Sequence, residues 1–268
     1  MPELPEVESA RSVIERAALG RRITDVDDSD TYVCRPYLPG HIRSALIGRR
    51  LETANRRGKY MWCSTTDGPE LGIHLGMSGK IVVADGAGVE IDGGDYWERG
   101  RKPGDFRYTR FSLTFEDGGR MVLVDPRRLG RIGLDWPVEK LGPDAATITP
   151  AQFRKAVGRG TAPIKARLLD QQFIAGIGNL LADEILWLAR INPSRRIADL
   201  SDADVAALLR GLRRAVKSAI RDGGVHTLSI VPYRKADALC PRDKAPMARS
   251  TVGGRTSWWC SREQAPDS

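Results

Sequence analysis

Pro2 and Glu3 stand directly behind the initiator methionine in the opening MPELPEVES, so removal of Met1 would set a free secondary amine beside a carboxylate. An α-amino group ordinarily titrates at about 7.7 to 8.0, against about 10.4 for a lysine side chain, so roughly a tenth of it is the uncharged nucleophile at neutral pH. Proline is somewhat more basic than that average, which narrows the advantage without removing it. A secondary amine condensing with a carbonyl-type carbon gives an iminium that is cationic without needing a proton, and therefore an electron sink. The same residues also suit a plainer role, because proline is tolerated in the first helical turn and acidic residues there complement the helix dipole.

Other stretches offer weaker chemistry. In DQQFIAGIGNLLADEIL, a turn with Gly176 and Gly178 ahead of Asn179 suits a phosphate at a helix N-terminus and equally a tight helix corner packed on glycine. Arg56, Arg57 and Lys59 in NRRGKYMW, and Arg127 and Arg128 in DPRRLG, suit a polyanion or the charged edge of a sheet. His74, one of three histidines, lies beside a glycine turn and reads as structural. No Ser, His and Asp spacing suggests a hydrolase triad, and no glycine-rich loop with a following Lys and Ser suggests a nucleoside triphosphatase.

The elements that must position these residues fall into two halves. Val7, Ala10, Val13, Ile14 and Ala17 recur at helical spacing, predicting a helix to about Leu19. Strand signals follow to near Trp136, such as FSLTF and MVLVD around EDGG, and this half reads as mainly antiparallel β. The Gly-rich, charged stretch from Ala84 to Gly104 has no usable period and reads as an exposed mobile loop. From Thr149 the period becomes helical, ending in a helix that opens at Ser201 and Asp204 and carries the stripe Val205, Leu208, Leu209, Leu212, Val216 and Ile220. The tail from His226 reads as an appended hairpin.

Bulk properties agree with this division. The 268 residues carry 42 Lys and Arg against 34 Asp and Glu, a net +8 that favours a polyanionic partner without naming one. No stretch is long and apolar enough to span a bilayer, and no basic segment followed by an apolar run opens the chain, so a soluble cytosolic protein is expected. Cys34, Cys63, Cys240 and Cys260 are too few and too scattered for a disulfide scaffold.

Taken together and in order, MPELPEVE, RRGKY, HLGMSG, DPRRLG, IKARLLDQQFIAGIGNLLADEIL and the terminal GGRTSWWC resemble the bacterial formamidopyrimidine-DNA glycosylase and endonuclease VIII family over nearly the whole chain. The resemblance implies an α+β fold: an N-terminal helix-flanked antiparallel β-sandwich domain over 1–135, a linker over 136–148, a helix-two-turn-helix domain over 149–224, and a lesion loop with a C-terminal β-hairpin finger over 225–268. It implies a monomeric bifunctional DNA glycosylase and abasic-site lyase of base excision repair, cytoplasmic and nucleoid-associated, acting on double-stranded DNA that holds a damaged base or abasic site. Pro2 would attack the sugar C1′, Glu3 would serve as general acid and base, and Lys59 would contact the phosphate next to the lesion. Asn179 and Arg255 would hold the flanking backbone, and His74, Lys165 and Gly178 join the DNA-binding set.

Two departures from the family follow. Met77 and Arg127 stand where two side chains fill the stack vacated by the flipped base, but Leu129 replaces the usual Phe. The zinc-holding finger pattern of four cysteines is here Cys240, Asp243, Cys260 and Glu263, a poor set for structural zinc, so a zincless finger held by hairpin pairing and Trp258 and Trp259 is expected, with no other cofactor. The lesion loop looks short, which leaves 8-oxoguanine, ring-opened purines and oxidised pyrimidines all open as substrates. The alternative is a protein of this fold that binds damaged or abasic DNA without excising bases. An RNA-binding helical protein with a β extension would explain the charge but not the N-terminus.

Overall fold

The computed structural model describes residues 2–97 and 100–265, and the chain divides into two compact units, 1–138 and 139–268. The first unit opens with α1 (Leu4–Ala17), whose Val7, Ala10, Val13 and Ile14 are buried on one face. A five-stranded antiparallel sheet has the order β1-β7-β8-β5-β6, built from β1 (Ile23–Asp27), β5 (Lys80–Ala84), β6 (Glu90–Gly94), β7 (Thr109–Phe115) and β8 (Arg120–Val124). A four-stranded antiparallel sheet has the order β2-β3-β4-β9, from β2 (Leu51–Arg57), β3 (Tyr60–Thr65), β4 (Leu71–His74) and β9 (Arg131–Leu134). Both sheets turn alternate apolar residues inward, among them Met61, Cys63 and Ile73 from one and Ile81, Phe111, Leu113 and Phe115 from the other, into one core with α1. The short α2 (His41–Leu46) closes one side through Ile42 and Leu46.

Within the stretch 84–104, of which 98 and 99 lie outside the described residues, Glu90–Gly94 departs from the expected loop. Glu90–Gly94 pairs with β5 through its whole length, and α1 lies directly on it: a Cβ at Gly93 would stand 2.6 Å from the Ser9 carbonyl oxygen. Arg101, almost wholly buried, bonds Glu90 and stacks its guanidinium 5.3 Å from the Phe106 ring centre. The strand was illegible because EIDGG has no apolar alternation; its stability comes from pairing and from a glycine that lets a helix approach.

The second unit holds α3 (Pro150–Val157), α4 (Ile164–Leu169), α5 (Asn179–Ala189) and α6 (Asp202–Asp222), then a hairpin of β10 (Met247–Val252) and β11 (Arg255–Cys260). Thr149 with Gln152 and Ser201 with Asp204 form the capping boxes that start α3 and α6. The α6 stripe buries Leu208, Leu209, Leu212 and Val216 but leaves Ile220 42% exposed. At about 1.5 Å per residue a 21-residue helix outruns the 11-residue α5 it packs on, so the stripe ends beyond its partner.

Candidate active site

The first turn of α1 is fixed before any substrate arrives. Pro2 and Glu3 are buried, and Glu3 caps the helix in a capping box with Glu6, the Glu3 N–H donating to Glu6 Oε2 at 2.9 Å. The Glu3 and Glu6 carboxylates thus stand in the first turn, next in the chain to Pro2, where negative charge offsets the positive helix end and favours a cation forming at that nitrogen.

The next requirement is a cation at a fixed distance from that turn, and Lys59 lies in the turn between β2 and β3, beside Gly58 with φ 61°. Its neighbour Arg56 does not face solvent. The Arg56 Nε donates to Glu8 Oε2 of α1 at 2.8 Å and its Nη1 to the Gly58 carbonyl at 3.2 Å, with the side chain 8% exposed. Glu8 also bonds Arg11 at 2.8 Å, and these contacts hold its carboxyl below the usual range although burial works against them. One guanidinium therefore ties the Lys59 turn to the helix that begins at Glu3.

His74 ends β4 opposite Tyr60, whose ring centre is 4.8 Å away. Its Nδ1 accepts from the Gly76 N–H at 3.1 Å, and burial, helped by the Lys59 ammonium, pushes its pKa down to about 4. His74 is thus a neutral ring that shapes the Met77 loop and packs beside the Lys59 turn.

Met77 and Leu129 belong to two loops that the fold presses together. A Cβ at Gly76 would lie 2.3 Å from the Leu129 carbonyl carbon, so only glycine permits this approach. The wholly buried Asp125 joins the loops: it accepts from the Ser78 hydroxyl, from the Arg127 N–H at 3.1 Å and from the Gly130 N–H at 2.7 Å. Arg127 is exposed and its guanidinium has no hydrogen-bond partner among the described residues, whereas Arg128 is held by Asp30 at 3.0 and 2.9 Å. The two arginines of DPRRLG therefore separate into one projecting cation and one surface cation held by Asp30.

The second unit carries Asn179 as the first residue of α5, behind the extended and buried Gly178. Gln171 shapes the preceding turn, donating to the Leu169 and Ile177 carbonyls and accepting from the Gly176 N–H at 2.9 Å. The Oδ1 of Asn179 is buried without a hydrogen-bond partner among the described residues. Arg255 opens β11 after the two-glycine turn Gly253–Gly254, with φ 58° and 70°, the geometry of a tight hairpin. Arg255 is exposed, and no described residue bonds its guanidinium. Lys165, expected among the DNA contacts, is instead wholly buried and bonded to Asp183 at 2.6 Å, so its charge is spent inside the unit.

The four finger positions do converge. The Sγ atoms of Cys240 and Cys260 and the Glu263 carboxylate lie within 4.8 Å of one another, and Asp243 accepts the Cys260 thiol at 3.3 Å. They do not fit zinc. Glu263 is engaged by Arg242 at 2.6 Å and Arg190 at 3.4 Å, burial pushes the Cys260 thiol up, and two carboxylates replace the thiolates that a closed tetrahedral site wants. Gln264 does the fastening instead, accepting from the Cys260 N–H at 2.9 Å and donating to the Ile191 carbonyl at 2.8 Å. Cys240, Cys260, Met247 and Trp187 form the finger's apolar core with Trp258 beside it; Trp259 is not part of that cluster.

Sequence reasoning passed over Asp125, Asp183 and Glu184. The last two had a signal, adjacent carboxylates inside the apolar run NLLADEILWLA, since buried acids need partners. Glu184 accepts from the Ile230 N–H at 2.8 Å and so anchors the loop that precedes the finger.

Comparison with known proteins agrees with this geometry. Residues 1–132 match the formamidopyrimidine-DNA glycosylase N-terminal domain and residues 141–229 match that family's H2TH domain. The formamidopyrimidine-DNA glycosylase of Chloroflexus aurantiacus is 33% identical over 97% of this chain and 96% of its own, and that of Parafrankia sp. is 31% identical over 97% and 96%. Among solved structures, the Lactococcus lactis Fpg in complex with an abasic site containing DNA superposes with a TM-score of 0.81 at 25% identity, covering 98% of this chain and all of the other. A MutM in complex with carbocyclic 8-oxo-G containing DNA gives 0.82 at 26% over 99% of this chain. By these matches, and by the two units that carry them, the chain belongs to the formamidopyrimidine-DNA glycosylase family of DNA repair enzymes.

Proposed function

We propose that this DNA glycosylase works in base excision repair as a bifunctional enzyme, removing oxidised or ring-opened bases through a Schiff base on Pro2 and cutting the strand by β,δ-elimination. The observation that carries the proposal is the capped head of α1, where Glu3 adjoins the Pro2 nitrogen that removal of Met1 would make an amine, tied through Glu8 and Arg56 to the turn of Lys59. Attack of the Pro2 nitrogen on C1′ breaks the bond to the base, whose electrons leave with it as a proton arrives. Glu3 protonates the sugar ring oxygen as the C1′–O4′ bond opens, leaving an iminium. Loss of a C2′ proton into that sink expels the 3′ phosphate, a further elimination expels the 5′ phosphate, and hydrolysis frees Pro2.

Lys59, Asn179 and Arg255 position the backbone and carry no sequence information. Met77, Arg127 and Leu129 fill the vacated stack, offsetting a few kcal/mol of unstacking. The relatives' structures hold abasic-site, carbocyclic 8-oxo-G and FAPY-dG containing DNA. The short loop over 225–239 and the aliphatic Leu129 favour a broad lesion range here. The enzyme acts as a monomer without zinc or another cofactor, in the cytoplasm on nucleoid DNA; among the described residues no helix is long and apolar enough to cross a membrane.

Borohydride trapping on duplexes with 8-oxoguanine, thymine glycol, dihydrouracil or a plain abasic site tests this proposal. A cross-link present in the wild type, weakened in Pro2→Gly and lost in protein that retains Met1 is expected; a wild type that cross-links to none of them overturns it. A protein that only binds damage has no need of an amine at the sugar, and the same experiment separates that alternative.

A further inference from the structure

The second unit buries an ionic cluster that the reaction above does not use. Lys165 and Asp183 are 0% and 1% exposed, with Nζ 2.6 Å from Oδ1. The other two ammonium protons of Lys165 go to Ser257 Oγ at 2.8 Å and the Thr256 carbonyl at 3.0 Å, which uses all three donors. The second oxygen of Asp183 accepts from Arg234 Nε at 2.9 Å and from the Trp258 N–H at 3.3 Å. One ion pair thus reaches four segments: α4, α5, β11 and the loop before the finger.

Stability alone is a poor account of it. Taking a lysine and an aspartate out of water costs several kcal/mol per ion, and a packed apolar pair of similar volume is often as stable. Position explains more. Asp183 lies one helical turn along α5 from Asn179, while Thr256 and Ser257 directly follow Arg255. Lys165 adjoins Ala166, against whose Cα the hairpin turn is seated; a Cβ at Gly253 would be 3.0 Å away. The pair therefore spans the short path between Asn179 and Arg255.

We propose that Lys165 and Asp183 are positioning residues for the phosphate grip: the pair locks the hairpin onto α4 and α5 so that the Arg255 guanidinium stands at a fixed spacing from Asn179, and through Arg234 it fastens the 225–239 loop to the same anchor. The proposal rests on Asn179 and Arg255 being phosphate contacts.

The test is a binding cycle on the full chain, with a duplex holding a tetrahydrofuran abasic-site analogue and salt as the variable. Arg255→Ala should weaken binding and reduce the salt slope by about one contact. Asp183→Asn, nearly isosteric, should weaken binding about tenfold and flatten the slope by the same amount. The double variant should be no worse than Arg255→Ala alone. In turnover, Asp183→Asn should raise KM about tenfold and lower kcat less than twofold, a split that general loosening would not give. Losses that multiply in the double variant, or a lowered Tm with unchanged affinity and slope, overturn the positioning role while leaving the Arg255 contact intact. Should Arg255→Ala itself change neither affinity nor slope, the phosphate contact fails and the proposal with it. If Asp183→Asn does not fold, Ser257→Ala removes a single bond of Lys165 and must reproduce the non-multiplying loss at about threefold.

Discussion

The head of α1 and the tip of the finger are both turns that present working groups, yet they are built in opposite ways. Glu3 and Glu6 hold each other across three residues of sequence, by a bond that any capped helix can make. The finger tip is held by Lys165 reaching Ser257 across 92 residues and Arg234 reaching Asp183 across 51. A local device forms as soon as its helix does, whereas a remote one exists only after several elements have docked. Substitutions at the first should therefore change chemistry with little change in grip, and substitutions at the second should do the reverse.

The strongest way to break that contrast is at the amine. Pro2→Gly keeps an amine but loses the secondary nitrogen, and Glu3→Gln keeps an acceptor for the cap but cannot pass a proton. Single-turnover base excision should fall by about 10³-fold in Glu3→Gln, within the range for losing a general acid, while the dissociation constant for an uncleavable duplex moves less than threefold. A matching loss of affinity in both variants would mean that the head of α1 grips DNA as well.

The first unit also has a non-local element, and its signature is pH. With His74 held near 4 in the folded chain against about 6.5 unfolded, the unfolded chain takes up the proton first as pH falls. Stability from this ring is complete above about 6.5, declines through the window down to about 4 and is flat below it, amounting to ~2 kcal/mol after allowance for partial exposure. Urea midpoints from pH 4 to 7 should show that decline in the wild type and lose most of it in His74→Asn.

Arg56→Gln probes how far remote ties support local chemistry. Cutting the bond to Glu8 frees the Lys59 turn by a fraction of an ångström, which suffices to lower kcat about tenfold with KM within threefold. Leu129→Phe acts on the wedge alone. A stacking ring is worth ~1 kcal/mol more than an aliphatic one there, so discrimination between opposite bases should rise about fivefold with kcat on the preferred pair unchanged. Excision rates with each of the four opposite bases measure it.

This contrast also explains what could be read in advance. The first helix, the strand pair around EDGG and the α6 cap announce themselves within a few residues, and the motif order supplies the family. Cations were the hard case. Arg56 and Lys59, Arg127 and Arg128, Lys165 and Arg255 look alike as letters, yet Arg56 and Lys165 turn inward to Glu8 and Asp183, and the exposed Arg128 is held at the surface by Asp30. Their acids lie 48, 98 and 18 residues away, so no window of local sequence contains both partners. Strand β6 was missed for the same reason, since its partner strand and the helix on Gly93 supply what EIDGG lacks.

The smallest expected effect concerns the metal. In a thiolate finger the ion brings four distant ligands together, and its removal releases binding energy that had been folding energy. Here Arg242 and Arg190 neutralise Glu263, Asp243 accepts the Cys260 S–H hydrogen bond, and Gln264 closes the strand end against Ile191. Overnight dialysis against a strong chelator should therefore leave Tm, DNA affinity and cleavage unchanged, and elemental analysis should find well below one zinc per chain. Glu263→Gln, which leaves two guanidinium groups without their anion, should lower Tm and weaken binding through Arg255. If added zinc raised Tm and Asp243→Cys with Glu263→Cys did nothing further, the carboxylates would be ligands and the finger would be metal-built after all.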